Sequence, residues 1–227
     1  MKVLRQPILW IFGSGAAYAG LFFARPLWYT AHCQTSPDSC SVTSLNPLDR
    51  MIPIPGSIQA DSYSNWLQNG AGTLAWILPW IILRKARLAV ALNLMLLAIA
   101  IANGALMEVI RALVQRPRPI VLASPAVEAA NIHHYTSFYS GHTSFVALAL
   151  FFTVLWARRL SPAQRLLHGV LYLMYGSLSL GTAILRVLGG RHYPTDTLAG
   201  WFFGTLLAFY LAGPWLSQLE EESSASI

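Results

Sequence analysis

Six apolar runs, at residues 8–24, 66–83, 88–110, 143–157, 166–185 and 197–216, limit what this chain can fold into. Each is long enough, or nearly so, to cross roughly 30 Å of hydrocarbon as a helix rising about 1.5 Å per residue. Inside lipid the backbone must satisfy its own hydrogen bonds, so runs of this kind predict helices and not open strands. The third is the clearest, because between Leu88 and Met107 only Asn93, Asn103 and Gly104 interrupt it. The fourth is the shortest and borrows a turn from Ser140-Gly141. The expectation is an all-α, polytopic membrane protein, one domain over 1–227, with six transmembrane helices in one bundle.

Composition excludes the other classes. A chain that is 55% hydrophobic and 11% charged is not disordered, and two cysteines in 227 residues cannot staple a disulfide scaffold. The net charge of +6 would suggest nucleic acid in a soluble domain. Here the 15 Lys and Arg residues are scattered between apolar runs, so they read as topology signals and site residues, with no nucleic-acid partner.

Lys2 and Arg5 precede the first run, Arg84, Lys85 and Arg87 separate the second and third, and Arg158, Arg159 and Arg165 separate the fourth and fifth. The positive-inside rule puts these loops and both termini in the cytoplasm, with 217–227 as a solvated tail. The first run continues past Ala17-Tyr18-Ala19 to Arg25-Pro26, so it is expected to be a retained anchor and not a cleaved signal peptide. The polar stretch at 28–64 then faces outward. It holds both cysteines, Cys33 and Cys40, and outside the cytoplasm a local disulfide between them is expected. A catalytic cysteine is not expected, since His32 is the one candidate partner in that stretch.

Ionisable residues are costly near a membrane, so their concentration marks a site. They fall in three segments: Arg111 to Pro119 after the third run, Tyr139 to Thr143 before the fourth, and Arg186 to Asp196 between the fifth and sixth. Topology places all three on the extracytoplasmic face. Several guanidinium groups, permanently charged and forked, imply a multiply charged oxyanion such as phosphate. Arg111, Arg116, Arg118, Arg186 and Arg191 supply the guanidinium groups of these segments, with the Ser140 hydroxyl and the Gly141 N–H as further donors to a phosphoryl group. His192 and Asp196, one helical turn apart, suit a nucleophile and the carboxylate that orients it. His142, from another helix, suits a general acid. One carboxylate among many arginines repels a cation, so neither a metal nor another cofactor is expected. Arg116 and Arg191 are secondary candidates for a second phosphate, a headgroup or interface anchoring, and Glu108 is expected to partner a site arginine. His133 and His134 lie close by, at the entrance or simply exposed.

These residues resemble the type 2 phosphatidic acid phosphatases, integral membrane lipid phosphatases related in their core to vanadium haloperoxidases. The family pattern is a basic residue, six positions and Arg-Pro; then Pro-Ser-Gly-His; then Ser-Arg, five positions, His, three positions and Asp. Arg111 with Arg118-Pro119, Ser140-Gly141-His142, and Arg186, His192 and Asp196 match it in order and spacing, over about residues 88–210. Arg111 stands where lysine is usual, Tyr139 replaces proline and Leu185 replaces serine. The resemblance implies a metal-independent, two-step hydrolysis through a phosphohistidine on His192, with His142 protonating the leaving group. It implies a lipid phosphate as substrate: undecaprenyl diphosphate first, then phosphatidylglycerol phosphate, phosphatidic acid or a lipid A phosphate. It also implies a place in a bacterial cytoplasmic membrane. A phosphotransferase on the same scaffold and a non-catalytic lipid-phosphate binder or transporter are the alternatives. Six spans argue against a soluble haloperoxidase, and oligomeric state stays open.

Overall fold

The computed structural model describes residues 4–30, 33, 40–41, 45–51, 56–123, 128 and 130–224. Within these residues there are no strands, and six long helices build the molecule: α1 (Arg5–Phe23), α2 (Ile58–Leu83), α3 (Ala86–Val114), α4 (Gly141–Leu160), α5 (Arg165–Leu188) and α6 (Pro194–Ser224). Among the described residues, four of them, α3 to α6, are long and apolar enough to cross a membrane by length and composition. α1 and α2 lie over the first two apolar runs without joining that group.

Two boundaries differ from the apolar-run reading, for physical reasons. α2 starts at Ile58 and not near 66, because the Ser57 hydroxyl accepts the Ala60 N–H at 3.3 Å and caps it. Its first three turns are polar on one face, which hides them from a search for apolar runs. α6 starts at Pro194, whose fixed φ suits a first helical position, and continues to Ser224. The stretch expected as a solvated tail is therefore helical through 224, with Leu219 buried at 1% exposure. Residues 225–227 lie outside the described residues.

The core forms where α3, α4 and α6 meet, with Leu92, Met95 and Ile99 facing Leu148, Phe152, Trp156 and Leu216. Burial of such side chains contributes about 1.5–3 kcal/mol each in water, but inside a bilayer close packing carries the association instead. Glycine supplies that closeness. A Cβ on Gly200 would fall 2.5 Å from the Ser140 carbonyl oxygen, and one on Gly204 would collide with the Ser144 carbonyl. α6 thus lies directly against the first turns of α4. On the outside, Phe12, Phe23, Leu166, Leu173 and Tyr210 are each more than 60% exposed, an apolar surface suited to lipid.

The segment between α1 and α2 is tied to one end of the bundle. Cys33 and Cys40 are joined by a disulfide with Cα atoms 5.5 Å apart, and the Cys33 N–H donates to Tyr135 Oη at 3.2 Å. His32 lies outside the described residues. Before α2, Gly56 packs on the Gly189-Gly190 turn so tightly that a Cβ would collide with it, and Gly190 adopts φ +65°, which favours glycine.

Candidate active site

Packing of α6 on α4 brings the motif segments to one end of the bundle, where the Ser140 N–H donates to the Asp196 carbonyl at 3.0 Å. A cavity of about 370 Å³ opens there. Arg111, Arg118, Gly141, His142, Arg186 and His192 all line it, drawn from α3, the segment after it, α4, α5 and the loop before α6. Among the described residues no carboxylate lines it. Gly141 has a steric reason to be glycine, since a Cβ would sit 2.7 Å from Met107 Sδ. It is also the first residue of α4, where backbone N–H groups have no intrahelical acceptor.

His192 is fully buried, and its Nδ1 lies 2.7 Å from the Ser137 carbonyl oxygen. A carbonyl only accepts, so Nδ1 carries the hydrogen and Nε2 keeps its lone pair. Burial holds this imidazole well below its ordinary pKa, and the charges of Arg186, Arg118 and Arg111 push the same way, offset in part by the Ser137 carbonyl. The ring is neutral at pH 7. The expectation that Asp196 bonds this ring directly is corrected: its Oδ2 lies 3.8 Å from Nδ1. Asp196 instead accepts the Ser137 hydroxyl and the Tyr193 N–H on Oδ2, and Arg116 on Oδ1 at 2.6 Å. Ser137 links Asp196 and His192, giving its hydroxyl to the carboxylate and its carbonyl to the imidazole.

Ser140 is corrected too. Its hydroxyl is fully buried and turned into α4 as the N-cap, facing Thr143 Oγ1 at 3.1 Å, so it does not line the cavity. The reason is local: the residue before a helix's first turn has the backbone geometry that folds its side chain onto that turn.

The three cavity arginines are held differently. Arg111 donates to Glu108 and to the Tyr139 carbonyl, each at 3.3 Å, and Glu108 also accepts Arg25 Nε at 2.8 Å. Arg186 pairs with Asp61 at 2.5 Å. Arg118 reaches Thr136 Oγ1 at 3.0 Å and pairs with no carboxylate among the described residues. In all three the Nε–H is buried without a hydrogen-bond partner. Unsatisfied buried donors on cations are costly, so the three guanidinium groups are incompletely satisfied by the described residues.

The secondary candidates resolve into supports. Arg116 bridges Asp196 and Asp49 at 2.6 Å each and lies 4.1 Å over the Tyr193 ring, so it clamps the site from behind and does not line it. Arg191 pairs with Asp61 at 3.0 Å. His134 pairs with Glu128 at 2.9 Å, and neither it nor His133 lines the cavity. Sequence reasoning missed Ser137, Asp49, Asp61 and Asn65. The usable signal was scarcity: with only nine acids in the chain, an acid on the arginine-rich face has a cation to neutralise. Among the described residues no group of three His, Cys, Asp or Glu side chains is arranged as metal ligands.

A model of the PAP2 superfamily matches residues 70–216. The chain belongs to the PAP2 superfamily. That match spans the three segments that supply Arg111, Arg118, Gly141, His142, Arg186 and His192 to the cavity. Among solved structures, the chain is similar to one described as the first transmembrane PAP2 type phosphatidylglycerolphosphate phosphatase from Bacillus subtilis. The two share 20% sequence identity and a TM-score of 0.48, over 88% of this chain and 94% of that one.

Proposed function

We propose that this PAP2 member is an integral membrane lipid phosphatase that works through a phosphohistidine without a metal. The observation that carries the reading is the cavity's lining: three arginines and two histidines and, among the described residues, no carboxylate, a setting for a phosphoryl group and not for a cation. In this reading the six long helices are six spans, both termini are cytoplasmic, and the cavity faces outward from a bacterial cytoplasmic membrane.

The chemistry follows from the geometry. His192 Nε2, left free by the bond at Nδ1, attacks phosphorus, and the P–O bond to the leaving group breaks on the opposite side. Arg111, Arg118, Arg186 and the Gly141 N–H stabilise charge on the equatorial oxygens, in a site already arranged for it. His142 protonates the departing oxygen. Water then hydrolyses the phosphohistidine, releasing phosphate and restoring His192.

Support for a lipid comes from a second cavity of about 440 Å³, lined by Gly72, Trp76, Ile77, Leu97 and others, which shares Ala100 and Phe145 with the first. An apolar space adjoining a phosphate cradle suits an amphiphile whose head reaches the site while its chain stays among helices. Undecaprenyl diphosphate is the first-choice substrate, followed by phosphatidylglycerol phosphate, phosphatidic acid and lipid A phosphate.

The test is phosphate release by detergent-solubilised protein from a panel of these lipids, with EDTA present and His192→Ala as control. Release that survives EDTA and vanishes in the variant is expected. Turnover by His192→Ala at the wild-type rate, or loss with EDTA, would overturn the mechanism. Release from none of the lipids would favour a transferase or a binding protein.

A further inference from the structure

The cavity wall contributed by α2 owes nothing to the three motif segments. Asp61, Ser64, Asn65 and Gln68 stand at i, i+3, i+4 and i+7, one face of a helix, and the superfamily match begins only at residue 70. All four meet the site. Asp61 holds Arg186 and Arg191, Ser64 Oγ lies 3.3 Å from Arg186 Nη1, and Gln68 lines the cavity. Asn65 Oδ1 lies 2.6 Å from His142 Nε2.

The Asn65 contact decides something about the chemistry. An amide oxygen only accepts, so Nε2 of His142 carries a hydrogen, and the neutral ring keeps its lone pair on Nδ1. Nδ1 makes no hydrogen bond to a described residue, while the ring itself lines the cavity. We infer that Asn65 is a positioning residue that holds His142 in this tautomer and orientation, so that Nδ1 is the nitrogen exchanging protons during catalysis. This rests on the phosphohistidine reading above.

The balance of the two steps is then specified. As the bond from His192 Nε2 to phosphorus forms and the ester P–O bond breaks, the leaving oxygen takes the Nδ1 proton of a doubly protonated His142. The ring becomes neutral and stays bonded to Asn65 through Nε2–H. In the second step the water oxygen bonds phosphorus, a water proton passes to Nδ1, and the N–P bond breaks to free phosphate and His192.

The experiment compares two amphiphilic monoesters bearing the same dodecyl chain, dodecyl phosphate and a dodecyl-substituted nitrophenyl phosphate, on the full chain in detergent. An alkoxide needs the proton as it leaves and a nitrophenolate does not. Asn65→Leu should lower kcat/KM for the alkyl ester by about tenfold, part of the 10²–10⁴ that positioned proton transfer supplies, and leave the nitrophenyl ester within about twofold. Asn65→Asp keeps the acceptor and should restore the alkyl ester. Asn65 is exposed, so neither change removes core packing. Equal losses on both esters, or no loss on either, would overturn the inference while leaving an active wild type and the phosphatase reading in place. Wild-type protein that released phosphate from neither ester would remove both.

Discussion

Removing the carboxylate of Asp49 should damage the site from a distance. Asp49 comes from the segment between α1 and α2 and is completely buried. It accepts Arg116 Nη2 at 2.6 Å, the Thr195 N–H at 3.0 Å, the Thr195 hydroxyl and Asn46 Nδ2 at 2.6 Å. The Thr195 N–H belongs to the first turn of α6, so Asp49 supplies a cap that no residue adjacent to α6 provides. Asp49→Ala removes a charge-assisted bond worth about 1.5–3 kcal/mol and a helix cap worth about 1 kcal/mol. It also leaves Asp196 as the remaining carboxylate partner of Arg116 among the described residues. Arg116 is 19% exposed, so water repays part of that loss, and about 3 kcal/mol of destabilisation is expected. For a chain of this size that lowers the unfolding midpoint by about 6–12 °C. Because Arg116 links Asp49 to Asp196, turnover should fall as well. The assay is thermal unfolding in detergent with a double-mutant cycle against Arg116→Met, in which the paired loss should be smaller than the sum by at least about 1.5 kcal/mol. A midpoint within 2 °C of wild type, or strict additivity, would refute the bridge.

Further outcomes follow from two buried groups. His192 is held neutral by burial and by Arg186, Arg118 and Arg111, so kcat should not fall as pH drops through 6.5, and an acid limb centred at 6.5 or above would count against it as nucleophile. The same shift has a stability sign: below about pH 6.5 the unfolded chain takes a proton that the folded His192 refuses, so the fold loses stability as pH falls from there. Glu108 is 1% exposed between Arg25 and Arg111, and Glu108→Gln leaves two partly buried guanidinium groups without their counter-charge. A loss of about 2–4 kcal/mol is expected in detergent unfolding, and an unchanged midpoint and rate would dismiss Glu108 as the partner of these arginines.

The helical class, the superfamily and part of the cavity's lining were legible in one dimension. Apolar runs must become helices in lipid, because their backbone has no other source of hydrogen bonds. Arg111, Arg118, Gly141, His142, Arg186 and His192 were legible because their chemistry is unusual beside apolar helices and their spacing is rigid within each segment. What a side chain bonds to was not legible. His192 and Asp196 stand one turn apart, and spacing alone suggests a direct bond that the loop before α6 redirects to the Ser137 carbonyl. Ser140 looked like a phosphate donor until the helix it precedes claimed its hydroxyl.

Only the tertiary structure decided the supports. Asp49 lies 146 residues before Thr195, and Asn65 lies 77 before His142, so no local pattern ties either pair. The polar face of α2 fell below notice because a search for apolar runs discards polar turns. Residue type and local spacing determine which segments become helices and which groups can do chemistry. Pairing across the bundle depends on how closely backbones approach, as Gly200 and Gly204 allow α6 to approach α4, and such distances exist only once the chain has packed.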